Sequence, residues 1–246
     1  MRTLKLTIQY DGTNYHGWQA QKNTSYTIQT IIEKNLRRIL RHKVKLIAAG
    51  RTDSGVHALM QVAHFKTNSG IDLKKLKLGI NSLLPDDIKI AKIEQVSADF
   101  HSRYQVKEKT YRYVILNRDY PCVFMRNFEY FYPFPLDIRK MKKAARFLIG
   151  RHDFSSFCSN NKKNVRSKHR QIKKINIKRK DSRIYIDITG SGFLYTMVRS
   201  IVGTLIEVGR GKILPGQIQH ILEKRNRCLA GPTAPAKGLC LLRIDY

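Results

Sequence analysis

The sequence predicts an α/β (α+β) protein built of two similar-sized units. Strand-like alternation and helical spacing of apolar residues interleave through roughly the first hundred residues, and the second half repeats this style without a long linker. We place the boundary in the polar stretch 103–109, which gives units 1–104 and 105–246. In each unit we expect a mainly antiparallel sheet with helices packed on one face, the two sheets adjoining around a basic cleft.

The first unit opens with a strand, because apolar residues alternate along "LKLTIQY" until Asp11-Gly12 interrupts them. From Thr27, a suitable N-cap, apolar residues recur at helical spacing. Next, "VKLIAAG" and "LMQVAHF" are typical of strands on either side of a short polar loop. A second helix runs near "DLKKLKLGINSLL" and stops at Pro85, and "DIKIAKIEQV" predicts another strand.

The second unit follows the same logic. "KTYRYVILN" alternates as a strand, and "LDIRKMKKAARFLIG" is helical with Gly150 as its expected C-terminal stop. "IKKINIKR" and "RIYIDITG" predict a pair of strands. "FLYTMVRSIVGTLIEVG" is an apolar-periodic helix that ends at Gly209.

Charge is the strongest global signal. The 47 Lys and Arg residues exceed the 18 Asp and Glu residues, which gives a net charge of +29. This balance indicates a polyanionic partner, and nucleic acid fits best because phosphate contacts need many dispersed cations. An anionic membrane fits less well, since no long basic amphipathic helix with an aromatic face is present. No apolar run approaches the ~20 residues of a transmembrane helix, and the N-terminus lacks a signal peptide's apolar core, so we expect a cytoplasmic protein.

Cysteine and histidine spacing gives no support for a metal site. The four cysteines (122, 158, 228 and 240) lie far apart without a CxxC pair, which predicts free thiols in a reducing compartment. The eight histidines form neither HExxH nor HxH. We therefore expect no metal cofactor.

A polar cluster bracketed by glycines, "GRTDSGVH", is the first candidate site. Arg51 stands two residues before Asp53, so in extended backbone the two side chains share a face. A neighbouring guanidinium typically lowers a carboxyl pKa by ~1–3 units, which would keep Asp53 an anion. The alternative is that Asp53 caps a turn and Arg51 forms a surface ion pair. A second such cluster, "GSGFLYTMVR", ends in Arg199 among apolar neighbours, where an Arg usually has an anionic partner.

Six segments together resemble one known family. "QYDGTNYHGWQAQKNTSYTIQTIIEKNL", "AAGRTDSGVHALMQVAHF", "NSLLPDDIKI", "FHSRYQVKEKTYRY", "GSGFLYTMVRSIVGTLIEVGRGK" and "APAKGLCLLRIDY" occur in the order seen in the TruA family of tRNA pseudouridine synthases. The resemblance spans Leu4 to Tyr246. It implies an isomerase that converts uridine to pseudouridine at tRNA positions 38 to 40, in the anticodon stem-loop. It also implies no cofactor, no metal, and a homodimer whose RNA-binding cleft spans two subunits.

The resemblance also implies roles for individual residues. Asp53 would be the nucleophile, attacking either C1′ of the ribose or C6 of the base, with Arg51 keeping it ionised. Arg199 would pair with that carboxylate. Tyr111 would lie against the target base, where stacking compensates part of the cost of unstacking the uridine. Leu239 would border the base.

Three of these positions have plainer interpretations that stay open. Tyr111 and Tyr113 also fit ordinary strand aromatics on one face, and Leu239 fits strand core equally well. His57 is a conceivable general base, but structural hydrogen bonding is the better interpretation because it follows Asp53 across a glycine.

Two features depart from the family pattern or lie outside it. Tyr195-Thr196 stands where many members carry basic or imidazole residues, which puts substrate contact there in doubt. Between Lys162 and Arg183 the chain carries eleven Lys and Arg residues against one Asp. Such blocks are usually solvated faces, but phosphate binding is at least as good an interpretation in an RNA-modifying enzyme.

Two other classes of function remain as alternatives. A non-catalytic basic RNA-binding protein has no need for an anion inside its binding surface. A hydrolase that releases the base generally recruits two carboxylates, and no second acid accompanies Asp53 in its loop.

Overall fold

A computed structural model of the protein describes residues 1–159 and 167–246. In these ranges the strands are β1 (Arg2–Tyr10), β2 (Ile47–Ala48), β3 (His57–Thr67), β4 (Ile88–Val96), β5 (Glu108–Leu116), β6 (Tyr130–Phe131), β7 (Gly150–Asp153), β8 (His169–Lys180), β9 (Arg183–Gly190) and β10 (Leu239–Asp245). The helices are α1 (Ile28–Leu40), α2 (Leu73–Leu83), α3 (Ile138–Arg146), α4 (Met197–Gly209) and α5 (Gln217–Lys224). The fold is mixed α/β and dominated by sheet, as the sequence predicts.

The described chain forms two compact units, Met1–Lys107 with Cys240–Tyr246, and Glu108–Leu239. The final strand belongs to the first unit because β10 runs parallel to β3, with Cys240 beside His57. The predicted units 1–104 and 105–246 place this strand in the second unit. The residue pattern along the chain gives no sign that the C-terminus returns to the first unit.

The first unit has a sheet in the order β4-β1-β3-β10, with β2 paired to β3. β1 is antiparallel to both β3 and β4, and its alternating residues Leu4, Leu6 and Ile8 are completely buried. α1 contributes Ile28, Ile32 and Leu36 to the core. The expected cap at Thr27 is confirmed, since its side chain accepts a hydrogen bond from the Thr30 amide. α2 likewise ends before Pro85, as predicted.

The second unit has a sheet in the order β5-β9-β8-β7, with β6 parallel to β5. The predicted β8–β9 pair is confirmed as an antiparallel hairpin. α4 is almost entirely buried, which explains why its sequence is apolar on nearly every face. The predicted start of α4 at Phe193 is wrong: the helix begins at Met197, because Thr196 has a left-handed backbone (φ 58°) that a helix cannot contain.

The expected helix stop at Gly150 is wrong. α3 ends at Arg146, and the turns that follow are of the tighter 3₁₀ type, with the Leu148 amide donating to the Ala145 carbonyl. Gly150 instead begins β7, and its positive φ of 116° is the conformation that turns the chain into that strand.

The four cysteines are free thiols, of which Cys158 is buried. Within residues 1–159 and 167–246, no group of three or more His, Cys, Asp or Glu residues is placed to hold a metal ion. No helix in the described part of the chain is long and apolar enough to cross a membrane.

Candidate active site

The candidate nucleophile lies on the loop 49–56 that joins β2 to β3. Asp53 is half-buried, while Arg51 is exposed on the same loop. The Val56 amide donates to the Asp53 carbonyl (3.2 Å), and Gly55 supplies a positive φ of 75°, so the chain reverses directly after Asp53. The turn places the aspartate side chain at the tip of a short, defined bend.

Buried polar side chains of β1 and β3 fix the first half of this loop. The Tyr10 hydroxyl and the Thr52 hydroxyl lie 2.8 Å apart, and the Gln61 amide donates to the Gly50 carbonyl (2.9 Å). The Trp18 amide donates to the Thr52 carbonyl (3.1 Å). Burial raises the pKa of Tyr10 well above its usual range, so the phenol keeps its proton. Buried polar groups are costly to leave unbonded, and these bonds therefore hold the backbone before Asp53 in one conformation.

The segment 11–17 fixes the second half of the loop. The Tyr15 carbonyl accepts from the Ser54 hydroxyl (3.0 Å) and the Gly55 amide (3.3 Å). Gly12 and Gly17 let the backbones touch, because a Cβ at Gly12 would lie 2.1 Å from the Val56 carbonyl oxygen and one at Gly17 would lie 2.7 Å from that of Thr52. The segment "YDGTNYHG" thus packs directly against the loop that carries Asp53 and supports it.

His57, the residue that follows the loop, is buried and contacts the segment "YDGTNYHG". Its Nδ1 lies 3.0 Å from both the Gly12 amide nitrogen and Asp11 Oδ1. The Gly12 N–H can only donate, so it bonds to a neutral ring whose proton is on Nε2; a protonated Nδ1 would donate to Asp11 instead. In either state the ring holds the turn at Asp11-Gly12, which favours a structural role for His57 over that of a general base.

Arg199 lies in the first turn of α4 and is half-buried. Its Nε donates to the Ala234 carbonyl (2.7 Å), and the Ala234 amide donates to the Arg199 carbonyl (3.1 Å). Arg227 steadies the same loop by donating to the Gly231 carbonyl (2.8 Å) and to the Thr233 hydroxyl (2.9 Å). The guanidinium of Arg199 is therefore held in place by backbone that is itself fixed.

Tyr111 and Tyr113 point to one face of β5, and both are buried, with 7% and 0% exposure. Both the hydroxyl and the ring of Tyr113 have partners within the protein. The hydroxyl donates to the Pro235 carbonyl (2.8 Å), and the ring packs so closely on Gly238 that a Cβ there would lie 2.6 Å from it. Tyr111 packs edge-to-face on Phe193, with ring centroids 5.3 Å apart. Leu239, directly after Gly238, is also buried. These contacts make Tyr113 the structural tyrosine of the pair.

Sequence reasoning identified Asp53 and Arg51, which the structure places on one loop, but it missed the residues that fix that loop. Tyr10, Tyr15 and Gln61 look like ordinary strand or loop residues in the sequence. The available signal was the glycine pair in "YDGTNYHG", since glycines permit close backbone approach.

The basic segment lies only partly within the described residues, since 162–166 fall outside them. In β8, Lys174, Lys178 and Lys180 are exposed, whereas Lys173 is bonded to Glu108 (2.8 Å). The exposed lysines are available for anions.

Comparison with known proteins identifies the chain's relatives. A family model described as tRNA pseudouridine synthase matches residues 6–105 and 144–246. "tRNA pseudouridine synthase A" of Acetivibrio thermocellus is 48% identical over 246 residues, and the protein of that name in Thermoanaerobacter pseudethanolicus is 47% identical over 246 residues. Each alignment covers 100% of both chains. Among solved structures, a chain of a Cbf5-Nop10-Gar1 complex matches with 12% identity and a TM-score of 0.42, covering 97% of this chain and 48% of that one.

Proposed function

We propose, from the premise that this chain belongs to the tRNA pseudouridine synthase family, that it modifies uridines of the anticodon stem-loop at tRNA positions 38 to 40 with Asp53 as nucleophile. The chain is an isomerase that acts on tRNA, as its family and its full-length relatives indicate. The position in the tRNA and the residue roles are the proposed part.

The reaction rearranges bonds within one nucleotide. The bond from N1 of uracil to C1′ breaks, a bond from C5 to C1′ forms, and the proton that leaves C5 is balanced by one that arrives at N1. A carboxylate assists by adding to C1′ or to C6 and leaving again, and both routes need an ionised Asp53.

One observation carries the assignment of Asp53. It is the only acid between Ala49 and Val56, and hydrogen bonds to the backbone of Gly50, Thr52 and Gly55 fix its loop on both sides. Catalytic side chains need such precise support, whereas a turn-capping aspartate on a surface loop does not. The same rigidity supports a role for the loop in chemistry over a role in binding alone.

The remaining site residues have the following proposed roles. Arg51 and Arg199 stabilise the negative charge of Asp53, Arg199 through a guanidinium already oriented by Ala234. Tyr111 stacks on or borders the target base, and Leu239 covers the base's apolar edge. The contact between Tyr111 and Phe193 supports this by setting the angle of the tyrosine ring.

Product analysis tests the reaction type. Purified protein is incubated with unmodified tRNA, and the RNA is digested to nucleosides. We expect pseudouridine in intact RNA at positions 38 to 40. In cells that lack the protein, we expect these positions to remain uridine when tRNA is mapped. Free uracil with an abasic ribose would indicate a hydrolase, and unchanged RNA that is nevertheless bound would indicate a binding protein.

We also propose a cytoplasmic homodimer. Two copies would bring a charge of +29 each to one RNA, and tRNA is made and modified in the cytoplasm of cells without a nucleus. Sedimentation at micromolar concentration tests the dimer, and a species of 28.6 kDa would contradict it.

A further inference from the structure

The side chains of Tyr15 and Asp87 form a partly buried hydrogen bond next to the candidate catalytic loop, and neither side chain has been given a role so far. The Tyr15 hydroxyl donates to Asp87 Oδ1, and the two residues are 72 positions apart in the chain. Tyr15 is 6% exposed. Burial and the carboxylate of Asp87 both raise the pKa of Tyr15, so the phenol remains a donor.

The main chain of Tyr15 connects this bond to the loop. Its carbonyl accepts from the Ser54 hydroxyl and the Gly55 amide, the two residues directly after Asp53. Asp87 also holds the other end of the segment, since its carbonyl accepts from the Asp11 amide (2.9 Å). The segment 11–15 is therefore anchored to Asp87 at both ends and presents the Tyr15 carbonyl to the catalytic loop.

We propose that Tyr15 and Asp87 are positioning residues for the reaction, which set the conformation of the Asp53 loop through the Tyr15 carbonyl. The inference rests on the proposed role of Asp53. Neither side chain needs to touch the RNA. Their loss shifts the loop and with it the carboxylate, and a misplacement of ~1 Å can cost roughly 100-fold in rate.

The test compares single-turnover and steady-state kinetics on tRNA. For Tyr15→Phe and Asp87→Ala we expect kcat to fall roughly 10- to 100-fold while KM stays within about threefold, because the RNA contacts are unchanged. Asp87→Asn keeps an acceptor oxygen and should restore most of the rate. The Tyr15→Phe/Asp87→Ala double variant should be no slower than the slower single variant, because both remove the same bond.

The neighbouring aspartate gives a matched control. Asp86 is fully exposed and contacts only Lys89 among the bonds described for it, so Asp86→Ala should behave as wild type. Ser54→Ala keeps the partly buried Tyr15–Asp87 bond while it removes one bond from the loop to the Tyr15 carbonyl. Because the Ser54 side chain is exposed, this variant tests the connection with little loss of core packing. Its effect on kcat should be less than additive with that of Tyr15→Phe.

The outcomes separate this proposal from the function on which it rests. Wild-type kcat in folded Tyr15→Phe and Asp87→Ala, with Asp53→Asn inactive, would refute the positioning role alone. A parallel rise of KM in the same variants, or full additivity with Ser54→Ala, would also overturn it. An active Asp53→Asn would instead refute the role of Asp53 as nucleophile, and with it the function for which the loop is proposed to be positioned.

Discussion

Arg199 is one of the few residues of α4 that are not buried, and its Nε is already committed to the Ala234 carbonyl. The outer guanidinium nitrogens are thus presented in a fixed orientation. This arrangement suits a residue whose task is to place positive charge beside an anion, since little side-chain freedom remains to be lost.

For Arg199→Leu we expect a folded protein whose turnover falls by about 100-fold or more, because the proposed role of Arg199 in stabilising the Asp53 carboxylate is lost. Arg199→Lys should restore little of the lost turnover. A lysine ammonium lacks the planar guanidinium, which bonds to the Ala234 carbonyl through Nε and leaves its outer nitrogens for a second partner. Pseudouridine formation measured in tRNA checks both variants. Arg210→Leu, which removes an exposed arginine just after α4 and its bond to Glu207 (2.9 Å), is the control. Near wild-type activity in Arg199→Leu would refute the proposed role of Arg199.

His64 predicts a pH dependence of stability that is independent of catalysis. Burial, and secondarily the charges of His101 and Lys66, lower its pKa from 6.5 to about 4. The folded protein therefore binds fewer protons than the unfolded chain between these values, and stability is present above pH 6.5 and falls as the pH drops towards 4.

By pH 5 this group should cost about 2 kcal/mol of unfolding free energy relative to pH 7.5. Denaturation at the two pH values measures the loss. In His64→Gln, which cannot gain the proton, the loss should be smaller by that amount. An equal loss in the variant and the wild type would show that His64 does not titrate in this way.

At the same scale, the residues of the site differ in how far the sequence reveals them. Asp53 stands out as a candidate because an acid between glycines is unusual in so basic a chain, but its proposed role as nucleophile comes from the resemblance to the family. Tyr15 and Asp87 were not found, because the bond between them joins residues 72 positions apart and each looks ordinary locally. Long-range side-chain pairs of this kind have no signal in a single sequence.

Among the elements, α4 shows how close packing fixes a helix. A Cβ at Gly203 would lie 1.7 Å from the Pro232 carbonyl oxygen, so the helix and the loop 231–234 meet backbone to backbone. The Thr204 hydroxyl also accepts from the Gly231 amide (2.9 Å). This contact holds the loop that orients Arg199.

Gly203→Ala should therefore destabilise the protein by about 2–4 kcal/mol, although alanine favours helix intrinsically, because the loop must move. Gly79→Ala in α2 is the matched control: its Cβ would meet only an Ile39 methyl group at 3.6 Å, an ordinary contact. That variant should be more stable by roughly 0.5–1 kcal/mol. Urea denaturation measures both changes, and the same sign for both would contradict the packing argument.

The elements with a strong repeating pattern were predictable, and the others were not. α1, α4 and the β8–β9 hairpin carry clear helical spacing or alternation and were found. β7 has four polar or small residues, "GRHD", without apolar alternation, so the sequence does not reveal this strand and Gly150 is instead interpreted as the stop of the preceding helix. The pairing of β10 with β3 joins the C-terminal strand to a strand inside the first unit, far away in the sequence, and has no local signal.

For the whole molecule, the net charge of +29 predicts that tRNA binding weakens steeply with salt. Replacing Lys174, Lys178 and Lys180 with Ala should lower affinity and flatten the slope of log Kd against log salt by about 1–3 units. Filter binding over a salt series measures this. Removing three lysines of α2 (Lys74, Lys75 and Lys77) is the comparison. If the β8 variant keeps the wild-type affinity and slope, as the α2 comparison variant is expected to do, the exposed lysines of β8 are only a solvated face.

The proposed role of Asp53 as nucleophile is tested most directly by Asp53→Asn. Asparagine keeps the size and most of the hydrogen-bonding shape but removes the charge and the nucleophilic oxygen. Pseudouridine formation in tRNA should disappear, while unfolding free energy and tRNA affinity stay near those of wild type and of the exposed control Asp86→Asn. Because asparagine is an excellent turn residue, an aspartate that only shapes the turn would tolerate the change. Pseudouridine formation by Asp53→Asn within tenfold of wild type would contradict the account.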